Sequence, residues 1–184
     1  MREIHVSEFV TLDGVMEAPG GEPSHPHTNW VGESTVPGEF FEAKYQEVVD
    51  AGGLLLGRTT YESFVGAWPE REGAFADRMN ALPKYVATSR PEELTWNATA
   101  LQGDVAEAVA ELRKGEGAPL LVNGSATLVR TLLAAGLVDE LRLNVFPVAI
   151  GGGLRFWPED RSKVALRLTD LTRYGDTLVQ VYRA

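Results

Sequence analysis

Residues 4–10 (IHVSEFV) alternate between apolar and polar positions and predict a first strand. From Thr11 to Pro37 the chain is rich in glycine and proline and shows no period, which predicts a long loop of functional type. The spacing changes between Glu39 and Asp50, where Phe41, Tyr45, Val48 and Val49 recur at helical intervals. A helix is expected there, burying that stripe and ending at Gly52-Gly53. Three short apolar runs follow, Leu54 to Leu56, Lys84 to Thr88 and Pro119 to Val122, separated by helical segments. Such runs predict parallel strands buried on both faces. The helices expected to cover them include Asp104 to Lys114, with Val105, Ala108, Val109 and Leu112 on one side, and Ser125 to Ala135, with Leu128, Val129, Leu132 and Leu133 on one side.

After Gly136 the period returns to two. Glu140 to Phe146 alternates, and so do Val164 to Leu171 and Thr177 to Tyr182 about the turn signal Tyr174-Gly175-Asp176. The last part therefore reads as an antiparallel hairpin. The expectation is one α/β domain over residues 1–184, with a mostly parallel central sheet that ends in antiparallel strands.

Composition narrows the function. With 184 residues, 44% of them hydrophobic, the chain can bury a sizeable core. It has no cysteine, which excludes disulfides, thiolate metal sites and cysteine nucleophiles. The formal charge of −9 and a pI near 4.9, without a basic stripe, argue against nucleic acid and anionic membranes as partners. A small anion is still admissible, because a few local cations and backbone N–H groups hold a phosphate whatever the net charge. The chain enters its first strand without a cationic leader or a long apolar run, so a cytoplasmic location is expected.

Candidate chemistry collects where the apolar strands end. Gly57 is followed by Arg58, Thr59 and Thr60, and the next strand ends at Ser89 and Arg90. Two cation-hydroxyl pairs at neighbouring strand ends suit an anion such as a ribose 2′-phosphate, although each pair alone reads equally as a turn or a cap. The third strand runs through Asn123, Gly124, Ser125, Ala126, Thr127 and Leu128 straight into a helix, whose first N–H groups would suit a pyrophosphate or need only ordinary capping. The sequence is neither GxGxxG nor a Walker A motif. His25 and His27 lack a third ligand nearby, and no metal is expected. Gly151, Gly152 and Gly153 either let a cofactor approach or form a turn.

Taken together, FVTLDGVMEAPGG, GRTTYES, ATSRP, LLVNGSATLVRTLLAAGLVDELRL and PVAIGGG resemble the dihydrofolate reductase superfamily, in its riboflavin-biosynthesis reductase (RibD C-terminal) branch, over nearly the whole chain. The resemblance implies a three-layer α/β/α fold and an NADPH site. In that site Arg58, Thr59, Thr60, Ser89 and Arg90 would hold the adenosine-ribose phosphate and Gly124 to Leu128 the pyrophosphate, with Gly57 and Asn123 as further cofactor-binding candidates. Phe9, Val10 and Met16 would line the nicotinamide, and Asp13 would lie at the mouth between cofactor and substrate. It also implies a homodimer.

The departures bear on the substrate. No carboxylate between Thr35 and Glu42 cleanly matches the folate enzymes' proton donor; Glu42, which borders the apolar stripe, is the better candidate there. Leu82-Pro83-Lys84 stands where a folate enzyme has the arginine for the glutamate tail, which disfavours folate. Trp30, Tyr45 and Asn144 are candidate substrate contacts; Asn144 would bind a heterocycle edge or satisfy a buried backbone group. The expectation is a stand-alone NADPH-dependent reductase of a small heterocycle, with a ribosylamino-pyrimidine first in line and Asp13 and Glu42 as catalytic candidates. The competing reading is a nucleotide-binding module of the same fold without catalysis.

Overall fold

The computed structural model describes residues 1–157 and 163–183. Its centre is an eight-stranded sheet of β1 (Ile4–Thr11), β2 (Gly53–Gly57), β3 (Lys84–Ala87), β4 (Ala98–Ala100), β5 (Leu120–Val122), β6 (Glu140–Phe146), β7 (Arg167–Tyr174) and β8 (Thr177–Arg183), in the order β4-β3-β2-β5-β1-β6-β8-β7. Strands β1 to β6 are parallel, whereas β8 is antiparallel to β6 and β7. Gly175, at φ +60, and Asp176 close the β7–β8 hairpin, as the turn signal predicted.

Helices cover both faces, and this explains the unbroken apolar runs. Leu54 and Leu56 of β2 pack with α1 (Gly38–Asp50), α2 (Arg58–Val65) and α3 (Ala74–Ala81), through Val48, Tyr61 and Met79. Leu55 points the other way, with Ile4, Val6 and Val122, towards α4 (Val105–Lys114) and α5 (Ala126–Ala134), through Val109, Val129 and Leu132. Each fully buried leucine contributes about 1.5 to 3 kcal/mol. Asp104 caps α4 by accepting the Glu107 N–H at 3.0 Å. Among the described residues, no helix is long and apolar enough to cross a membrane.

Four expectations need correcting. The buried stripe of α1 is Phe40, Lys44 and Val48, so that of the expected Phe41, Tyr45, Val48 and Val49 only Val48 is buried, and Phe41 and Val49 are 47% and 37% exposed. A lysine stands at the centre of the inward face, so the apolar pattern pointed about one residue away. The helix does not stop on a glycine cap either, because the Arg78 guanidinium donates to the carbonyls of Val48, Val49 and Ala51. Between the β3 and α4 segments the chain adds β4, a three-residue edge strand too short to show a period. Finally, β6 does not alternate: five of its seven residues, including Glu140 and Asn144, are buried, because the sheet is covered on both sides there.

The long loop from Leu12 to Pro37 contains no helix or strand, yet it is packed. Val15, Met16, Ala18, Trp30 and Val31 are buried, and Val15 pairs with Arg155 in an isolated bridge. Gly153, at φ +123, lies so close to this loop that a Cβ there would meet Val15 at 3.0 Å and His25 at 3.1 Å. The glycine run therefore serves contact between loop and strand end.

Candidate functional site

The strand ends singled out in the sequence meet at the carboxyl edge of the sheet. Gly57, the last residue of β2, donates its N–H to Ser125 Oγ at 2.7 Å, and Ser125 Oγ donates to Thr60 Oγ1 at 2.8 Å. The N-terminal turns of α2 and α5 are thereby fastened side by side. This contact requires glycine twice: a Cβ at Gly57 would lie 3.1 Å from Ser125, and one at Gly124, which has φ +69, would lie 3.0 Å from Thr60. Ser125, at φ +70, is left-handed as well, so two successive residues in that conformation swing the chain from β5 into α5. Neither α2 nor α5 has a side-chain N-cap, so two positive helix ends with uncapped amides sit next to each other.

Not every residue of the 123–128 segment faces that edge. Asn123 Nδ2 donates to the Ser7 carbonyl at 3.0 Å and ties β5 to β1. Ala126 and Leu128 bury their side chains in the core and leave only their amides to a ligand, while Thr127 is exposed.

Arg58 and Arg90 also come together, with Arg58 Nη1 donating to the Arg90 carbonyl at 3.3 Å. Two carboxylates that the sequence reading missed share the cluster. Glu62 accepts from Arg58 Nε at 2.6 Å and from Arg90 at 3.3 Å; Glu93 pairs with Arg58 and, at 3.2 Å, with Arg90. Hydrogen bonding to Arg58 lowers the Glu62 pKa, and the same bond raises that of Arg58. The Arg58–Glu62 spacing of four residues on one helix was the available sequence signal. Thr59 and Ser89 are exposed beside this cluster.

The residues assigned to the nicotinamide divide between the faces of the sheet. Phe9 packs towards α1, 5.5 Å from Phe146 and 5.9 Å from Phe40, whereas Val10 and Met16 belong to the core on the α5 side. Trp30 is 3% exposed, stacks edge-on with Phe146 at 5.4 Å and donates its indole N–H to the Glu17 carbonyl at 2.9 Å. It anchors the long loop on the aromatic cluster.

The acid candidates are placed very differently. Asp13 accepts from Thr11 Oγ1 at 2.6 Å, from the Gly151 N–H at 2.9 Å and from the Ile150 N–H at 3.3 Å. The Thr11 bond above all holds its carboxyl below the usual range, so Asp13 is ionised and clamps the loop to residues 150 and 151. Glu42 is exposed on α1, with no hydrogen bond or ion pair among the described residues. Tyr45 is half-buried and stacks on Phe75 of α3 at 5.7 Å. Asn144 is fully buried: it donates to Ser7 Oγ at 3.3 Å and to the Glu8 carbonyl at 3.0 Å, and it accepts from Lys44 Nζ at 2.7 Å. Of its two readings, the buried polar one describes this arrangement.

Lys44 and Glu8 are buried groups that the sequence reading passed over. Lys44 donates to Asn144, to Ser7 Oγ at 3.3 Å and to Glu47 Oε1 at 2.5 Å, and Glu47 also pairs with Arg142 at 3.2 Å. Burial lowers the Lys44 pKa, and Glu47 opposes that shift. Glu8 lies on the α5 face of β1 between Val6 and Val10, and its Oε2 accepts the Gly124 N–H at 2.8 Å. Its Oε1 is buried and has no hydrogen-bond partner among the described residues. The signal for Glu8 was a carboxylate in register with Ile4, Val6 and Val10. No group of His, Asp and Glu side chains among the described residues is arranged to hold a metal ion.

Comparison with known proteins gives consistent results. The chain is 24% identical to the uncharacterized protein YyaP of Bacillus subtilis (strain 168), over 98% of this chain and 93% of the relative. Its fold matches a candidate riboflavin biosynthesis protein from Shewanella sp. PV-4, with TM-score 0.72 and 19% identity over 100% of this chain and 98% of that one. It also matches the Thermotoga maritima diaminohydroxyphosphoribosylaminopyrimidine deaminase/5-amino-6-(5-phosphoribosylamino)uracil reductase, with TM-score 0.67 and 14% identity over 99% of this chain and 56% of that one. The model of the RibD C-terminal domain matches residues 2–180, and the chain belongs to that family.

Proposed function

We propose that the protein is an NADPH-dependent reductase of a small heterocyclic substrate, working in the cytoplasm as a homodimer. The observation that carries this reading is the junction of two uncapped helix N-termini with the Arg58–Arg90 pair at the carboxyl edge of β2, β3 and β5. Phosphates are held by that combination of open amides, aligned dipoles and planar guanidinium groups. In this reading the α5 amides take the pyrophosphate, and Arg58 and Arg90 take the 2′-phosphate. Glu62 and Glu93 must release the arginines for that, and their side chains, 47% and 42% exposed, have room to turn outwards.

A bound NADPH supplies a hydride, and the protein's part is orientation and exclusion of water. The packed loop anchored by Trp30 and clamped by Asp13 serves both tasks. The substrate class proposed first is a ribosylamino-pyrimidine, after the reductase activity in the name of the Thermotoga maritima protein. One observation favours the alternative of a nucleotide-binding module without catalysis: Asp13 is ionised and Glu42 is exposed, so neither candidate acid is poised to deliver a proton.

The deciding experiment is calorimetric titration with NADPH and NADH in parallel, followed by NADPH oxidation assays with pyrimidines and pterins. Selective NADPH binding with turnover supports the reductase, and binding without turnover on any substrate supports the module. Binding of neither cofactor rejects both.

A further inference from the structure

Glu8 is a carboxyl group inside the core. It is 2% exposed, between Val6 and Val10 of β1, opposite Leu143 of β6. Among the described residues its carboxylate has one polar partner, the Gly124 N–H on Oε2, and Oε1 has none. Among the described residues no charged side chain pairs with it. Arg130 of α5 is turned to the carbonyls of Arg155 and Phe156; Glu140 and Arg142 of β6 pair with each other at the far end of that strand; β5 carries no charged residue. Asp13 and Glu17 of the adjoining loop are bound to the backbone N–H groups of residues 150, 151 and 154. Yet the amide that Glu8 holds immediately precedes Ser125, the N-cap of α5, where the function proposed above places a pyrophosphate.

We propose that Glu8 is a positioning residue that couples ligand binding to a proton: a phosphate-bearing ligand is accepted at the α5 N-terminus only while Glu8 is a neutral carboxylic acid. The inference rests on that nucleotide reading. An ionised Glu8 would place a negative charge in a low-dielectric interior one residue from an anion, where like charges repel strongly. A neutral Glu8 keeps the bond from Gly124 through its carbonyl oxygen and leaves the left-handed Gly124-Ser125 turn in place. Burial already pushes the Glu8 carboxyl up to about 8, with the Gly124 N–H pulling the other way, so the acid form prevails at neutral pH. Above that value, binding must take up one proton.

The test is the NADPH dissociation constant between about pH 7 and about pH 9.5, a range in which a phosphate monoester with a second pKa of about 6 keeps a constant charge. The affinity of the unmodified protein is expected to hold to about pH 8 and then fall towards about tenfold per pH unit. Glu8→Gln, an isostere of the neutral acid, should match it near pH 7 and stay flat above. Lys84, whose ammonium burial lowers to about 8, is present in both proteins, so a slope shared by Glu8→Gln would belong elsewhere and overturn the assignment. Calorimetric enthalpies in two buffers at about pH 8.5 need no variant: uptake approaching one proton per NADPH supports the coupling, and no uptake overturns it. NADPH binding without pH dependence overturns the coupling alone, whereas no binding even near pH 7 rejects the nucleotide reading and the coupling with it.

Discussion

On the α1 side of β1, the three Lys44 N–H groups meet Asn144, Ser7 and Glu47, Asn144 spends both its donors, and Arg142 closes the far side of Glu47. At the carboxyl edge of the sheet, where α2 and α5 begin, two helix ends lack side-chain caps, the two arginines are held by half-exposed carboxylates, and Glu8, on the α5 face of β1, has an oxygen without a partner among the described residues. Both clusters are polar, and both touch the same strand. The first has used its hydrogen-bonding capacity and so contributes to the fold, because every buried group is satisfied within the protein. The second keeps capacity in reserve, which has a cost in stability unless something else uses it. That difference, more than residue type, separates a structural cluster from a binding one.

Substitutions can break the comparison, and the largest effect is expected on the saturated side. Lys44→Met should destabilise the protein by about 3 to 5 kcal/mol in urea denaturation, since Asn144 and Glu47 lose a buried partner, while NADPH affinity of the folded fraction stays unchanged. A small loss would place this cluster among the expendable ones.

Glu8→Gln should act in the opposite direction and depend on pH. The folded protein holds the Glu8 proton up to about 8, whereas the unfolded chain releases it near the ordinary glutamate value of 4.5. The unfolded state therefore binds fewer protons throughout that window, and the stability of the unmodified protein falls as pH rises through it. Relative to it, Glu8→Gln should gain on the order of 4 kcal/mol between about pH 4 and about pH 8, read from denaturation midpoints. A constant difference across the window would contradict the buried, uncompensated acid.

On the open side the effects should appear in binding. Arg58→Ala and Arg90→Ala should each weaken NADPH by about tenfold to a hundredfold while changing NADH much less, because the 2′-phosphate is what they are proposed to hold. Equal losses for both cofactors would remove that role. Gly124→Ala should cost about 1 to 2 kcal/mol of stability, because its φ is +69 and its Cβ would crowd Thr60. It should also weaken NADPH by disturbing the turn into α5, and an unchanged affinity would move the pyrophosphate away from that turn.

Fold and site were legible to different depths. The apolar triplet Leu54 to Leu56, the stripe of α5 and the turn at Gly175-Asp176 carried local signals strong enough to predict their elements, and the order of those elements implied a parallel sheet finished by a hairpin. The face of α1 was misread because Lys44 occupies the centre of its buried side, where its ammonium is satisfied by Glu47 on the same helix and by Ser7 and Asn144, each more than thirty residues away in the chain. Trp30 gave no hint that its ring would meet Phe146 of β6, because the loop that carries it has no period.

The sequence by itself determined where chemistry could sit: Gly57 to Thr60, Ser89-Arg90 and Asn123 to Leu128 each lie at a strand end, and strand ends are set by local pattern. Only the tertiary structure decided that α2 and α5 start side by side through Gly57, Ser125 and Thr60, that Glu62 and Glu93 neutralise the two arginines, that Asp13 is a clamp, and that Glu8 is buried beneath Gly124. Those outcomes depend on contacts between residues far apart in the chain and on loss of solvent. A one-dimensional pattern records neither, because the protonation state and free hydrogen-bonding capacity of a side chain belong to its surroundings.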